Sequence, residues 1–216
     1  MSLVALGLLL LAGPAAQAET WQAPDAHRDV TTYGHSSEPS PCGTDQKGTD
    51  PTDRLRDVVR VQVDHDREEI TVRVTMRELK RRSDTSWRLH LLVPTGAFVI
   101  DVHPGDKGEP YFLLMTKEPH IPANAGDGGC GFVTYAIVEQ LCDALSASAS
   151  PPRDVLVLSL PRECLRDPRW VKVGVDVSGG FTGNLDSFSI HGDEWTPPGV
   201  ERSGFLPPYG PRVRHG

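Results

Sequence analysis

The chain has 216 residues, 38% of them hydrophobic, and a formal net charge of −7. That length suits one folded domain with extensions. The acidic balance excludes nucleic acid as a partner, because neutralising phosphates takes a basic face.

Leu3 to Ala12 is an apolar run, broken by Gly13-Pro14 and followed by Ala16-Gln17-Ala18 ahead of Glu19. A short apolar core ending in a small-x-small site predicts a secretory signal peptide over residues 1–18, cleaved after Ala18. The run is shorter than the roughly 20 apolar residues of a membrane-spanning helix. No Lys or Arg precedes it, so the α-amino group supplies the positive charge. The expectation is a secreted, extracellular, monomeric protein with no membrane span.

Residues 19–53 are polar and interrupted by Pro24, Gly34, Pro39, Pro41, Gly43, Gly48 and Pro51. This composition predicts an irregular N-terminal extension, with one short strand over Asp29 to Tyr33. The clear pattern begins at Asp57. Val59, Val61 and Val63 alternate with Arg60 and Gln62; after the polar link His65 to Glu68, Ile70, Val72, Val74 and Met76 alternate with Thr71, Arg73 and Thr75. Two period-two runs across a short link predict a hairpin with one buried face. Further strands are predicted over Trp87 to Val93, Phe98 to Val102, Tyr111 to Met115, Phe132 to Val138, Val155 to Leu160 and Trp170 to Val177, each bounded by Gly or Pro. Val138 to Ser146 fits either two helical turns or a strand, and the alternation from Cys142 to Ser148 favours the strand.

Many short strands with Gly/Pro punctuation describe an all-β fold, an antiparallel β-sandwich of jelly-roll or immunoglobulin-like type. The sandwich is expected over residues 54–191. The stretch 192–216, with Pro197, Pro198, Pro207, Pro208 and Pro211, is expected to be an irregular tail, disordered or strapped across the domain.

The chain has 4 cysteines: Cys42, Cys130, Cys142 and Cys164. An even number in an exported chain predicts two disulfides, while no C-x-x-C spacing favours the competing zinc site. If Cys142 and Cys164 flank a hairpin turning at Ser150 to Arg153, they face each other. That predicts a Cys142–Cys164 bridge and leaves Cys42–Cys130 by elimination. The Gly-rich run around Cys130 is therefore expected to be structural and not nucleophilic.

No catalytic motif stands out: there is no G-x-S-x-G elbow, H-E-x-x-H helix, phosphate loop or EF-hand loop. The histidines are dispersed, with His90 placed on a polar strand face and His65 in a turn. Acidic residues offer one sharper expectation. Asp25 and Asp29 flank the first strand; Asp186, Asp193 and Glu194 follow the last, and first and last strands of a sandwich are often neighbours. Hard carboxylate oxygens converging from loops suit Ca²⁺; the alternative is that they are solvated loop carboxylates, with no cofactor. A glycosidase pair from Asp193 and Glu194, or Asp101 and Asp106, would need a deep cleft. Trp21, Trp195, Phe205 and Tyr209 lie in irregular segments, where a ring either packs under a strap or stacks on a ligand such as a sugar.

The stretches Asp57 to Leu79 (DVVRVQVDHDREEITVRVTMREL) and Leu160 to Gly174 (LPRECLRDPRWVKVG) resemble a family of small, largely uncharacterised secreted proteins of actinomycetes. Asp25-Ala26 and Asp29-Val30 match its opening. Pro161, Arg162, Cys164, Leu165, Pro168, Trp170, Val171 and Val173 match a later segment. The resemblance implies export, an all-β sandwich similar in layout to jelly-roll carbohydrate-binding modules, and a structural Cys164. Together these features predict a secreted, non-catalytic binding or interaction module with a glycan or a cell-surface protein as partner. The alternatives are a small secreted hydrolase using loop carboxylates, or a purely structural envelope protein.

Overall fold

The computed structural model describes residues 19–36, 44–80, 84–104, 111–117, 138–139, 142–183, 187–199 and 208–216. The signal-peptide stretch, Cys42, Cys130, Asp106, Asp186 and Phe205 lie outside these residues, as does most of the strand expected over 132–138. In chain order the strands are β1 (Glu19–Pro24), β2 (Thr31–Ser36), β3 (Thr44–Thr49), β4 (Val58–His65), β5 (Glu69–Met76), β6 (Ser86–Val93), β7 (Gly96–His103) and β8 (Phe112–Lys117). They continue with β9 (Val138–Glu139), β10 (Ser146–Ser150), β11 (Val155–Pro161), β12 (Trp170–Gly183), β13 (Ser187–Glu194) and β14 (Val213–Arg214). Short 3-10 turns at Pro151–Arg153 and Arg162–Leu165 are the only helical turns among the described residues. No helix there is long and apolar enough to cross a membrane.

The strands form two antiparallel sheets that pack face to face as an all-β sandwich. The smaller runs β1-β4-β5-β11-β10; the larger runs β3-β2-β13-β12-β6-β7-β8-β9, with β14 paired to β12. Alternation builds the inner faces. Val61, Val63, Val72, Val74, Leu156 and Leu158 from the small sheet meet Leu89, Leu91, Ile100, Val173, Val175 and Val177 from the large one. In β4–β5 the register pairs Val61 with Val74 and Val63 with Val72. A β-bulge between Val58 and Arg60 shifts that ladder at its start. It turns Val58 into the core and leaves Val59 half-buried.

Strand structure reaches further than the apolar period indicates. Residues 19–53 contribute β1, β2 and β3 to the two sheets, so only parts of that stretch are irregular. Their faces are too polar to show an alternation. His65 closes β4 inside the core, and His90 is buried, bonded to Asp176 of β12 at 2.8 Å. His65 is thus not in the turn expected for it, because β4 runs one residue longer, while His90 keeps the polar face of β6, opposite the inward Leu89 and Leu91. The Cys142–Cys164 disulfide is present, with Cα atoms 5.6 Å apart. It closes the open end of the β10–β11 hairpin. From Pro208 the tail lies across the domain as a strap, Val213 entering the core and Gly210 N–H bonding Val173 C=O at 2.9 Å.

Candidate functional site

After β1 the chain leaves the small sheet, and it enters the large one at β2. The crossing carries Asp25 and Asp29. Asp57 stands immediately before β4, and Asp193 is the penultimate residue of β13. These elements meet at one end of the sandwich, where one carboxylate oxygen from each of Asp29, Asp57 and Asp193 lies within 4.8 Å of the others. Asp57 is 0% exposed, Asp193 2% and Asp25 7%, while Asp29 is half-buried. A groove of about 690 Å³, lined by Asp29, Thr31, Lys47, Thr49 and Thr196 among others, opens beside the cluster.

Backbone geometry holds these carboxylates in place. The β4 bulge frees Val58 N–H, which donates to Asp193 Oδ2 at 2.8 Å. Arg28 adopts a left-handed conformation, φ 67°, and its N–H donates to Asp57 Oδ2 at 3.1 Å. Arg77 Nη1 reaches the same oxygen at 3.1 Å. Asp25 Oδ1 accepts from Ala26 N–H and Thr196 N–H, each at 3.0 Å. Asp57 and Asp193 thus each use Oδ2, while the enclosed Oδ1 of both has no hydrogen-bond partner among the described residues.

Burial, and then the charges of Asp25, Asp29 and Asp57, push the Asp193 carboxyl up to about 8, against the pull of Val58 N–H. Kept ionised, each pair of carboxylates at this spacing repels by about 3 kcal/mol at an effective dielectric near ~20. The raised value means that the folded chain favours a proton on Asp193 near neutral pH, which relieves that repulsion.

Of the residues expected to converge, Asp29 and Asp193 do so, and Asp25 is close enough to act on Asp193. Glu194 does not join them: successive strand residues point to opposite faces, so its side chain leaves the face that buries Asp193. Asp57, not among the expected residues, completes the cluster. Its signal was its position, an acidic residue abutting the strongest apolar alternation in the chain. A second acidic group, Asp50, Asp53 and His191, already has protein partners. His191 Nδ1 lies 3.1 Å from Asp53 and 3.6 Å from Asp50, and Arg56 Nη1 bonds Asp53 at 2.9 Å. Asp101 is tied to Arg88 at 2.7 Å.

Of the aromatic candidates, Trp21, Trp195 and Tyr209 take the packing alternative. Trp195 is 0% exposed, with Trp21 set edge-on against it at 5.3 Å. Gly210 of the strap lies over both rings, where a Cβ would meet Trp21 at 3.0 Å and Trp195 at 3.1 Å. Trp195 is therefore a core residue with no face for a ligand, and Tyr209 is half-buried in the strap that covers it. The exposed rings lie at the other end of β13. Phe181, 55% exposed, stacks on Phe188 at 5.5 Å; Tyr33 and His35 approach Phe188 at 6.2 and 5.5 Å. A cleft of about 350 Å³ opens here, bounded by Phe188, His35, Ser36, Gln46, Thr182 and Ser189. Nothing in the sequence period marked it, since β2 and β13 carry few apolar residues. Comparison with family profiles, with curated proteins and with solved structures finds no match to this chain.

Proposed function

We propose that this chain is an exported, non-catalytic β-sandwich module that binds a neutral glycan of the cell exterior at the aromatic cleft. The observation that carries the reading is the exposed Phe181 ring stacked on half-buried Phe188, beside a cleft walled by hydroxyl and amide groups. Apolar sugar faces stack on aromatic rings, and Ser36, Gln46, Thr182 and Ser189 offer donors and acceptors for sugar hydroxyls. Among the described residues no carboxylate, lysine or arginine lines the cleft, which suits an uncharged ligand. The Cys142–Cys164 bridge supports an oxidising, extracytoplasmic compartment. The enclosure of Asp57 and Asp193 favours binding over hydrolysis, because a glycosidase pair must flank a substrate bond.

The test is a glycan array with the purified chain and a Phe181→Ala variant. The ring of Phe181 is largely in solvent, so the variant should melt with the parent while losing at least about tenfold in affinity, the scale of one aromatic contact. Absence of glycan binding, or binding indifferent to Phe181→Ala, would leave the structural envelope role in its place.

A further inference from the structure

The end of the sandwich opposite the aromatic cleft concentrates carboxylates in an enclosed space. Asp29, Asp57 and Asp193 bring carboxylate oxygens within 4.8 Å of one another, and Asp25 adds its charge nearby. Solvated acidic clusters are common and need no ion. This one differs because Asp57 and Asp193 are almost wholly enclosed, and an Oδ1 of each is buried without a hydrogen-bond donor among the described residues. A buried carboxylate oxygen left unpaired costs several kilocalories unless something positive meets it. Each Oδ2 is meanwhile anchored, by Val58 N–H on Asp193 and by Arg28 N–H and Arg77 on Asp57. One oxygen of each carboxylate is thus fixed to the protein and the other is left open, the usual division of labour in a carboxylate that ligates a metal.

We infer that Asp29, Asp57 and Asp193, supported by Asp25, form a Ca²⁺ site that clamps the two sheets together. The donors are all oxygens, with no histidine or cysteine, which selects a hard cation over zinc or copper. Oxygens on opposite sides of a Ca²⁺ ion lie about 4.6–5.2 Å apart, twice the Ca–O bond, whereas across Mg²⁺ they lie about 4.0–4.2 Å apart. Oxygens that all lie within 4.8 Å of one another can reach a common ion of either kind, and Ca²⁺ is preferred because it accepts an irregular, carboxylate-rich shell. Asp57 stands immediately before β4 in the small sheet, Asp193 near the end of β13 in the large sheet, and Asp29 in the crossing between them, so one ion ties all three. The groove beside Asp29 and Thr196 gives the ion a way in and room for the waters that complete its shell. The inference stands apart from the glycan reading, since it concerns the other end of β13.

The purified chain, stripped with EGTA and exchanged into metal-free buffer, should rise in melting temperature by roughly 5 °C or more on titration from micromolar to millimolar Ca²⁺. The same concentrations of Mg²⁺ should do clearly less. Equilibrium dialysis with elemental analysis should find one Ca²⁺ per chain. Asp57→Asn and Asp193→Asn should each remove most of the Ca²⁺ response. In metal-free buffer Asp193→Asn should melt at or above the parent, because the amide oxygen still accepts from Val58 N–H and puts no charge beside Asp25, Asp29 and Asp57. That reversal distinguishes a lost ligand from a damaged fold. If a variant does not fold, the dialysis on the parent chain decides. A parent whose stability ignores Ca²⁺ and retains none on dialysis overturns the site, and so does an equal response to Mg²⁺. Ca²⁺ stabilisation that survives the Asp57→Asn, Asp193→Asn double variant overturns it as well.

Discussion

At the residue scale, Gly210 shows how close packing can depend on an absent side chain. A Cβ there would press on Trp21 and Trp195 from 3.0 to 3.1 Å, and Trp195, 0% exposed, is held inside the core. Gly210→Ala should therefore destabilise the fold by about 1–3 kcal/mol, the usual range for one methyl group too many. Urea denaturation, with the m-value checked for constancy, reads this directly. The same neighbourhood explains why Trp195 escaped the sequence pattern. It follows β13 in a Pro-flanked segment, yet its N–H bonds Val175 C=O at 3.0 Å and carries the ring inward. No local period encodes a contact made by a strap folded back over the sheet. Asp57 was hidden for a related reason: its partner Asp193 lies 136 positions on, and only the topology joins them.

At the scale of elements, legibility followed the apolar alternation. The β4–β5 hairpin could be read because Val61, Val63, Val72 and Val74 face a core on one side only. β6, β7, β11 and the first half of β12 obeyed the same rule. The β2–β3 hairpin could not be read, since TTYGHS and TDQKGT have little to bury. The bulge at Val58, which aims a backbone N–H at Asp193, left no mark in composition. The Cys142–Cys164 bridge was foreseeable because both cysteines flank one hairpin. It closes a loop with a sequence separation of 22, so chain-entropy arguments give about 3 kcal/mol of stabilisation. A Cys142→Ser, Cys164→Ser double variant should lose about that much by chemical denaturation, while its far-ultraviolet circular dichroism stays that of a β-sandwich.

For the whole molecule, pH dependence gathers contributions from parts far apart. His65 is buried on β4, with Nδ1–H donating to Val213 C=O of the strap at 3.1 Å and the His215 ring 5.8 Å away. Burial lowers its pKa below the usual 6.5; the charges of Arg162 and His215 also lower it, while the Val213 carbonyl and Asp66 pull it the other way. The folded chain therefore keeps His65 neutral where the unfolded chain protonates it. Its contribution is fully present above about pH 6.5 and is lost as pH falls toward the lowered folded value. Stability should decline by up to about 1.4 kcal/mol per pH unit from this group. The difference between the parent and His65→Gln, measured by denaturation from neutral to mildly acid pH, should isolate that slope; parallel curves would exclude it.

The strap has a kinetic consequence. It joins Val213 to His65 across 148 positions and Arg214 N–H to Glu19 across 195, while Thr196 reaches back to Asp25 across 171. Pairings so remote must wait until nearly the whole chain is available, and they raise the contact order of an already non-local β-topology. Such chains fold over milliseconds to seconds, not microseconds. Until the strap is in place, the indoles of Trp21 and Trp195 lack the cover of Gly210, and the unfinished domain presents a sticky surface in need of shielding.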